Sequence, residues 1–593
     1  MTSIIDEKQR TEALNPNESF MVQAPAGSGK TEILIQRYLT LLGGVENPQQ
    51  IISMTFTRKA AGEMKKRILA ALQRGLNNTP PESKHERQTW ELARLALKRD
   101  KNQGWRLLDN PNQFQVLTID SFCAGITKQM PIISLMGGPI DVVQNPDSLY
   151  RETAKRLLSK VENNDETGNK VRTVLKHLDN SKTTFLHRIN QLLLKRDQWM
   201  IPFFDKFEIN DEKRNYFESV LTNLIESILV DLSNHIPINY KNFIEAAKFA
   251  GNNCKINNPD SPIAELALIE NFPGSNIKNL KIWQGLAELT LTKNGDVRKS
   301  INKSNGFPAE KKQQKIEFIN LLETLAEHKK FTQILHQVRI IPESTYTNKE
   351  WEFLKSTLLL LPDIAETLRV IFTEQRKTDF TEISLAARDA LGNEDNPTDL
   401  LLYLDHKIQH ILVDEYQDIS YKQYDLLIRL TSGWVPGDGR TMFIVGDPMQ
   451  SIYRFRDAEV GLFLKTKEDG IGHIEFKFLS LKTNFRSQKP IVDWVNSCFK
   501  LVFPSSNNKD LGAITYSRSK AEQTNIIESG VSLHPVDDSS ISNEALEVTQ
   551  LVLSLQNQYP DKSIAILVRA RNHLVEIIKQ FHIKKLKFRA EDI

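Results

Sequence analysis

The chain has 593 residues, which at roughly 150 residues per domain is enough for about four domains. Hydrophobic residues make up 40% of the sequence and charged residues 25%, and 77 basic against 74 acidic residues leave a formal net charge of +3. This balance is typical of a globular protein and indicates no particular partner. The three cysteines, Cys123, Cys254 and Cys498, lie far apart and form no CxxC pair, which argues against a disulfide framework or a structural zinc site.

The N-terminal segment does not have the pattern of a targeting sequence. Residues 1–20 lack a basic start followed by an apolar run. No stretch of the sequence approaches the ~18 consecutive apolar residues that a membrane span requires. We therefore expect a cytoplasmic protein that does not associate with a membrane.

Short apolar runs that end in polar or glycine-containing turns predict the strands. In chain order they are Ser19–Ala24, Gln50–Phe56, Gln115–Ile119, His410–Val413, Met442–Val445, Phe476–Leu481 and Ser563–Val568. Amphipathic helical patterns follow several of them, as at Ile33–Leu42 and Ala60–Leu72. This alternation is typical of a parallel sheet with crossover helices. From Thr127 to about Asn396 the pattern is helical, so a helical insertion is expected there.

The run APAGSGKT at 24–31 lies between the first predicted strand and a helix. It fits the phosphate-binding pattern GxxxxGK[ST], except that alanine stands at the first glycine position. Gly27 and Gly29 let backbone N–H groups converge on phosphate oxygens, Lys30 can reach the outer phosphates, and Thr31 can ligate Mg²⁺. The flanking strand and helix favour this interpretation over a glycine-rich turn with an incidental lysine. The candidate cofactor-binding residues of this loop are Ala24, Gly27, Ser28, Gly29, Lys30 and Thr31.

An acidic pair, Asp414 and Glu415, follows the apolar run Ile411–Val413. Asp414 is expected to hold Mg²⁺, and Glu415 to orient and deprotonate the attacking water. The alternative is a solvated acidic turn, which the phosphate loop disfavours. Asp414 lies 414 − 30 = 384 residues after Lys30, far more than one nucleotide-binding sheet spans. The helical stretch is therefore expected to be an inserted domain.

Further motifs occur in a fixed order along the chain. They are QR at 9–10, TFTRKAA at 55–61 with EM at 63–64, TIDSF at 118–122, DEYQD at 414–418, VGDPMQSIYRFR at 445–456 and NFRS at 484–487. With these motifs the sequence resembles the UvrD-like superfamily 1 DNA helicases, and among them the RecB/AddA type. The motifs cover residues 1–127 and about 405–495, whereas the insertion matches in position and helical character only.

The resemblance implies an α/β fold, with a RecA-like P-loop NTPase parallel sheet, a large helical insertion and the start of a second RecA-like lobe. It implies ATP and Mg²⁺ as cofactors. Gln9 would read the adenine edge and Phe485 would stack on the adenine ring. Gln450 would couple the γ-phosphate to the DNA-facing loop, and Arg486 would act as an arginine finger. Arg456 matches another arginine on the phosphate side. Alone, Arg486 would be interpreted as a surface ion-pair partner, and only the joint order of the motifs favours the catalytic role.

A track for single-stranded DNA is also implied by the resemblance. Its candidate residues are Thr55, Phe56, Thr57, Arg58, Thr118, Ser121, Tyr453 and Phe455. The aromatic ones would stack on bases, at roughly 1–3 kcal/mol per base, and the others would contact the DNA backbone. Taken without the motifs, Phe56 and Phe455 are as well explained as core residues, and Lys65–Arg67 as a solvated helix face.

By the same resemblance, residues 1–127 and 396–478 form the first RecA-like lobe (1A), 128–395 an inserted helical domain (1B) and 479–593 the N-terminal part of the second lobe (2A). The family's second inserted domain, its glutamate-containing motif, another arginine motif and any nuclease domain would lie beyond Ile593. We therefore expect a C-terminally truncated chain, from a split gene, a truncated pseudogene or a two-chain machine.

The phosphate loop is compatible with three functions. The first is an ATP-dependent helicase or translocase of the UvrD/RecB type, moving 3′ to 5′ in DNA repair and recombination. It would act on single-stranded DNA and on duplexes with a single-stranded tail. A nuclease or helicase subunit is a candidate protein partner. The second is an ATP- and DNA-binding fragment that is inactive unless a partner chain complements it. Motifs complete through Arg486 favour the first, and the chain end favours the second. A nucleotide kinase is disfavoured because it leaves the motif around Tyr453 unexplained.

Overall fold

The structure is a computed structural model that describes residues 4–130, 140–204, 209–237, 241–392, 395–454, 458–509, 511–523, 530–536 and 541–589. The chain divides into two compact units. One consists of Met1–Ile119 with Leu402–Ile593, and the other of Asp120–Leu401. Among the helices of the described ranges, none has both the length and the apolar character that a bilayer crossing demands.

The strands of the described residues are few and mostly short. In chain order they are β1 (Phe20–Gln23), β2 (Ile51–Thr55), β3 (Gln115–Thr118), β4 (Asp141–Val142), β5 (Lys377–Thr378), β6 (His410–Val413), β7 (Thr441–Gly446), β8 (Lys477–Ser480), β9 (Thr483–Asn484) and β10 (Lys520–Ala521). Six of them form one parallel sheet of the first unit in the order β3-β2-β6-β7-β1-β8. This sheet confirms the predicted α/β class, and the six predicted strands that form it differ from the observed ones by at most one residue at either end.

Helices make up most of the remaining described chain. They are α1 (Glu7–Glu12), α2 (Lys30–Leu42), α3 (Arg58–Gly75), α4 (Lys84–Gln103), α5 (Ile119–Gln129), α6 (Asp147–Ser159), α7 (Glu166–His177), α8 (Lys182–Leu194), α9 (Arg196–Phe204), α10 (Asp211–Ser233), α11 (Lys241–Asn257), α12 (Leu280–Thr290), α13 (Lys312–Leu325), α14 (Lys329–Arg339), α15 (Asn348–Gln375), α16 (Phe380–Leu391), α17 (Asp399–Lys407), α18 (Tyr421–Leu430), α19 (Val460–Asp469), α20 (Lys489–Val502), α21 (Ile541–Gln558) and α22 (Leu574–Ile583). The predicted helical character of the insertion is confirmed.

The core of the first unit explains why its strands are continuous apolar runs. Phe20 and Val22 of β1 and Phe443 of β7 pack with Leu34 of α2 and Ile68 of α3 in one buried cluster. Every residue of β2, β6 and β7 is buried. A parallel sheet covered on both faces leaves no solvent side, so its strands do not alternate apolar and polar residues.

Two helical cores are found among the described residues of the second unit. One brings together α6, α7, α8 and α15, and the other is built from α10 to α14. Beside the first of these cores lies a buried polar cluster. The guanidinium of Arg196 contacts the carboxylate of Asp379, and the Tyr150 hydroxyl donates to Asp379 Oδ2 at 2.6 Å. Because each charge in this cluster has a partner, its burial is compensated.

The seventh predicted strand, Ser563–Val568, is wrong: this segment forms no ladder in the described chain. Its alternation is nevertheless real, because Ile566 and Val568 pack against the small cluster of α21 and α22, whereas Leu567 is 93% exposed. A strand requires a neighbour for its backbone hydrogen bonds, and local alternation does not supply one.

Candidate functional site

The predicted phosphate loop connects β1 to α2 at the carboxyl edge of the sheet. Gly27 and Gly29 have φ angles of +77° and +81°, in the left-handed region that favours glycine. A Cβ atom at position 27 would lie 2.5 Å from Asn484 Oδ1. The N–H of Ala24 continues the β1 ladder by donating to the Gly446 carbonyl at 2.9 Å. Both glycines are therefore required by the backbone, whereas alanine fits the first position of the pattern.

Lys30 and Glu415 meet at this edge although they lie 385 residues apart in the sequence. The distance from Lys30 Nζ to Glu415 Oε2 is 2.6 Å. Lys30 is the first residue of α2, and Glu415 follows β6 with a φ of +51°. The structure thus brings together the predicted phosphate-binding lysine and the predicted catalytic carboxylate.

Asp414 is a half-buried carboxyl group directly after β6. Its N–H donates to the Met54 carbonyl at 2.9 Å, and its Oδ1 accepts the N–H of Glu415 at 2.9 Å. Burial, and then the adjacent charge of Glu415, raise the pKa of Asp414 to about 6. A nearby cation would stabilise the ionised form of a carboxyl group in this position.

The donor set fits Mg²⁺ at the level of its chemistry. Asp414 supplies a carboxylate oxygen, and Thr31, the second residue of α2, a hydroxyl. In the described part of the chain no three His, Cys, Asp or Glu side chains converge as a metal cage. Mg²⁺ does not need such a cage, because it keeps several waters and binds one or two protein ligands together with substrate phosphates.

A hydrogen-bond relay connects Glu415 to Gln450. Gln417 Nε2 donates to Glu415 Oε2 at 2.7 Å, and Gln417 Oε1 accepts the N–H of Asp447 at 2.9 Å. Gln450 Nε2 donates to Asp447 Oδ2 at 2.5 Å. Burial raises the pKa of Asp447. The sequence predicts Gln450 as a site residue but misses Gln417 and Asp447, although both lie within the motifs DEYQD and VGDPMQSIYRFR.

A second link runs from the acidic motif toward Tyr453. Ser451 Oγ donates to Asp418 Oδ1 at 3.1 Å. Burial raises the pKa of Asp418 to about 6. Sequence reasoning singles out neither residue, and the only signal for them is their position inside the same two motifs.

The segment Lys482–Ser487 lies directly on the phosphate loop. The N–H of Phe485 donates to the Gly27 carbonyl at 2.8 Å, and Asn484 Nδ2 donates to the Ala26 carbonyl at 3.1 Å. Asn484 Oδ1 also accepts the backbone N–H groups of Arg486 and Ser487, both at 2.9 Å. The predicted residues Phe485 and Arg486 are therefore placed beside the loop by Asn484, to which the sequence assigns no role.

Gln9 lies on α1, the helix whose Arg10 contacts the same loop. Its neighbour Arg10 donates Nη2 to the Ser28 carbonyl at 2.8 Å. Arg10 in turn contacts the buried carboxylate of Asp6. Sequence reasoning gives Arg10 no role and misses Asp6 altogether, because both act on groups that are remote in the sequence.

The predicted DNA-contacting threonines lie at the ends of neighbouring strands. Thr55 of β2 pairs in register with Thr118 of β3. Thr55 is buried, and its hydroxyl donates to the Thr57 carbonyl at 3.1 Å, so it shapes the turn before α3. Thr57 caps α3 by accepting the N–H of Ala60 at 3.1 Å, and Arg58 is the exposed first residue of that helix.

Phe56 and Tyr453, two of the predicted base-stacking residues, lie side by side. Their ring centroids are 4.6 Å apart and their planes differ by 34°. Ser121 lies on α5, in the second unit. Phe455 and Arg456 lie outside the described residues.

Comparison with known proteins places this geometry in a family. Residues 5–470 match the model of the UvrD/REP helicase N-terminal domain, and residues 479–592 match that of the UvrD-like helicase C-terminal domain. The chain is 25% identical over 551 residues to the exonuclease/helicase subunit RexA of Lactococcus lactis subsp. cremoris (strain MG1363), an alignment that covers 89% of this chain and 42% of RexA.

Two further relatives are named as subunits of an ATP-dependent helicase/nuclease. The one from Lysinibacillus sphaericus (strain C3-41) is 24% identical over 582 residues, which cover 91% of this chain and 43% of the relative. The one from Clostridioides difficile (strain 630) is 25% identical over 600 residues, covering 91% and 41%. The chain thus spans about four-tenths of the length of these relatives. The two domain matches include every motif of the sequence analysis and confirm the resemblance: the chain belongs to the UvrD-like helicase family.

Proposed function

We propose that this chain is the ATP-driven motor part of a DNA helicase or translocase. The observation that carries the proposal is the contact of Lys30 with Glu415 at the carboxyl edge of the sheet, with the segment bearing Arg486 hydrogen-bonded to the phosphate loop beside it. The substrates would be single-stranded DNA and duplexes with a single-stranded tail, in DNA repair and recombination. The direction of movement, 3′ to 5′, is proposed from the family.

Each charged residue has a distinct task in this proposal. Lys30 leaves Glu415 and binds the outer phosphates when ATP enters, since a triphosphate offers it a stronger anionic partner. Glu415 Oε2 keeps its hydrogen bond from Gln417, and the lone pair that Lys30 occupied can then accept a proton from the attacking water. Arg486 places its charge at the γ-phosphate. Thr31 and Asp414 would hold Mg²⁺, which neutralises phosphate charge when bound.

The relay from Glu415 through Gln417 and Asp447 to Gln450 supports a coupling role. It joins the proposed catalytic carboxylate to the segment that continues into Tyr453. When Glu415 changes its protonation or its contacts upon hydrolysis, the hydrogen bond from Gln417 Nε2 to Glu415 changes. The hydrogen bond between Gln417 Oε1 and the N–H of Asp447 then changes as well. We propose that this is how the nucleotide state reaches the aromatic pair Phe56 and Tyr453.

The nucleotide base, the DNA track and the domain division are proposed from the family in the same way. Gln9 and Phe485 would bind the base, and Arg456 would act beside Arg486. Thr55, Thr57, Arg58, Thr118, Ser121 and Phe455 would complete the track. Lobe 1A would comprise 1–127 and 396–478, domain 1B 128–395, and the beginning of lobe 2A 479–593. A nuclease or helicase partner chain is proposed from the names of the relatives.

A second candidate is an ATP- and DNA-binding module that hydrolyses ATP only with a partner chain. It is favoured by the sparse pairing after residue 479, where the described strands β9 and β10 have two residues each. Leu501 and Val502 at the end of α20, and Leu511 beyond it, are 87%, 74% and 76% exposed in the same region. Apolar surface of this kind is a typical contact for another chain or domain.

The two candidates are separated by measuring ATP hydrolysis with and without single-stranded DNA, and unwinding of 3′-tailed and 5′-tailed duplexes. DNA-stimulated hydrolysis that Glu415→Gln abolishes, with unwinding of the 3′-tailed duplex only, is the result expected for the motor. Binding of ATP and DNA without hydrolysis supports the module. Absence of ATP binding in the wild-type chain contradicts both.

A further inference from the structure

The buried carboxylate of Asp6 joins two distant parts of the chain. Asp6 is 2% exposed. Its Oδ2 accepts the backbone N–H groups of Lys482 at 2.7 Å and Thr483 at 2.9 Å, and its Oδ1 accepts the Thr483 hydroxyl at 2.9 Å. Lys482 lies 476 residues after Asp6 and three residues before Phe485. Asp6 therefore fixes the start of the segment that carries the proposed base-stacking ring.

The same carboxylate holds the guanidinium of Arg10. Arg10 Nε donates to Asp6 Oδ1 at 2.9 Å and Arg10 Nη2 to Asp6 Oδ2 at 3.2 Å. Burial alone would raise the pKa of Asp6, but the donors from Arg10, Thr483 and Lys482 hold this pKa at about 2. The carboxylate is thus ionised at neutral pH. A bidentate pair of this kind fixes the orientation of the arginine.

Arg10, held in this way, contacts both sides of the proposed nucleotide pocket. Its Nη2 donates to the Ser28 carbonyl of the phosphate loop at 2.8 Å. Its guanidinium carbon lies 5.0 Å from the centroid of the Phe485 ring, within cation–π distance. A Cβ atom at Gly29 would lie 3.6 Å from Arg10 Nη1 and 3.9 Å from the Phe485 ring. Arginine, ring and loop thus converge at Gly29.

We propose that Asp6 and Arg10 are positioning residues for the nucleotide base, which together set the place of the Phe485 ring relative to the phosphate loop. The inference rests on the proposed nucleotide site. Asp6 fixes Thr483, two residues before the ring, and Arg10 fixes the ring itself. The groups assigned to the phosphates are different ones, namely Lys30 and the N–H groups around Gly27 and Gly29. Loss of the pair should therefore weaken binding of the base and spare binding of the phosphates.

Two variants test this separation. Asp6→Ala removes the centre of the network, and Arg10→Met removes the cation while Asp6 keeps its bonds to Lys482 and Thr483. The second variant keeps the test valid if the first does not fold. Calorimetry measures the Kd of Mg-ATP and of inorganic triphosphate with Mg²⁺. We expect the Kd of ATP to rise about tenfold in both variants, because the cation–π contact of Arg10 with Phe485 and the positioning of the ring are lost. The Kd of triphosphate should change by less than about twofold.

The chain offers a matched control. Glu18 pairs with Lys477 at 2.6 Å and so also joins the N-terminal segment to the β8 region, but on the surface and away from the loop. Glu18→Gln should leave both affinities unchanged. Arg10→Lys, which restores the charge without the planar fork, should recover part of the ATP affinity.

Several outcomes would overturn the inference. If the affinities for ATP and for triphosphate fall equally, the Asp6–Arg10 pair supports the phosphate loop and not binding of the base. If the affinity for ATP is unchanged in Arg10→Met, the pair supports neither. Failure of the nucleotide site itself gives a different result. In that case Lys30→Ala leaves the affinities of both ligands unchanged, and the inference falls together with the proposed function.

Discussion

The rings of Phe56 and Tyr453 lie 4.6 Å apart, centroid to centroid, although one follows β2 and the other follows β7. Both side chains are half-buried, so each keeps surface that a ligand can contact. Aromatic pairs at this distance stabilise one another and also form a platform for bases. Since a packing pair and a base platform respond differently to truncation, the two roles can be separated by experiment.

We expect Tyr453→Ala to weaken binding of single-stranded DNA by roughly 1–3 kcal/mol, without preference for any base, because a stacking surface is sequence-tolerant. Fluorescence anisotropy with labelled homopolymers of each base measures this loss, and thermal unfolding is followed in parallel. Tyr453→Phe, which keeps the ring, serves as the control. A lower melting temperature with unchanged DNA affinity would show that Phe56 and Tyr453 only pack.

Removal of the Lys30 ammonium should abolish tight binding of Mg-ATP. In Lys30→Ala the outer phosphates lose the Lys30 ammonium, and the negative charge of Glu415 loses the cation that lies 2.6 Å away. The fold should survive, because Lys30 is at the start of α2 and not in the core cluster. Calorimetry of wild type and variant measures the effect, with circular dichroism as the check on folding. Equal affinities would refute the phosphate-loop assignment.

The pKa of Asp414 predicts a pH dependence of stability. Burial and Glu415 raise it from 3.8 to about 6, so between these values the folded state binds more protons than the unfolded state. The contribution of Asp414 to the free energy of unfolding is therefore present below about pH 4 and is lost as the pH rises through about 6. Asp414→Asn should remove the share of the decline that Asp414 causes and make it shallower. The share of Asp418, whose pKa burial also raises to about 6, should remain. Urea unfolding at a series of pH values from about 4 to 7 measures the decline, and parallel curves for both proteins would contradict the prediction.

In the buried cluster of Arg196, Asp379 and Tyr150, the loss in the free energy of unfolding should depend on which side chain is removed. Asp379→Ala leaves the guanidinium of Arg196 buried without its main partner, a change that typically costs about 3–5 kcal/mol. Tyr150→Phe removes two hydrogen bonds, the one donated to Asp379 and the one accepted from Arg196 Nη1 at 2.9 Å, and should cost about 2 kcal/mol. Urea unfolding of both variants gives the comparison. A loss for Tyr150→Phe as large as that for Asp379→Ala would mean that the hydroxyl, not the ion pair, holds the cluster.

The six strands of the main sheet are predictable as short apolar runs. The signal is clearest for β2, β6 and β7, in which every residue is buried. Lys30 and Glu415, which the sequence singles out at the ends of two predicted strands, lie 2.6 Å apart at the carboxyl edge of the sheet. Arg486 is implied only by the order of the motifs, and the roles of all three residues stay predictions. Sequence reasoning fails for Ser563–Val568. The alternation of apolar and polar residues is a property of this segment alone, whereas strand formation also requires a neighbouring strand from another part of the chain. The periodicity of a segment indicates which of its side chains face the core. It does not indicate which strand, if any, lies beside the segment.

Three of the residues that sequence reasoning misses share one property. Asp6 binds the backbone of Lys482 and Thr483, Asn484 binds the carbonyl of Ala26, and Gln417 binds the N–H of Asp447. Backbone groups are the same at every residue, so a side chain that recognises them leaves no complementary residue type to find in the sequence. Such contacts become visible only when the fold brings the segments together.

Asn484 gives the last prediction, because it holds Arg486 and Ser487 through two backbone hydrogen bonds and the phosphate loop through Ala26. Asn484→Ala should lower kcat for ATP hydrolysis, but by less than the ~10³-fold minimum that loss of an arginine finger costs. Asn484→Asp keeps the oxygen that accepts from Arg486 and Ser487, so it should be milder. If Asn484 acts through Arg486, the variant Arg486→Ala and the double variant with Asn484→Ala should have the same kcat. Independent, multiplying losses in the double variant would show that Asn484 contributes to catalysis by another route.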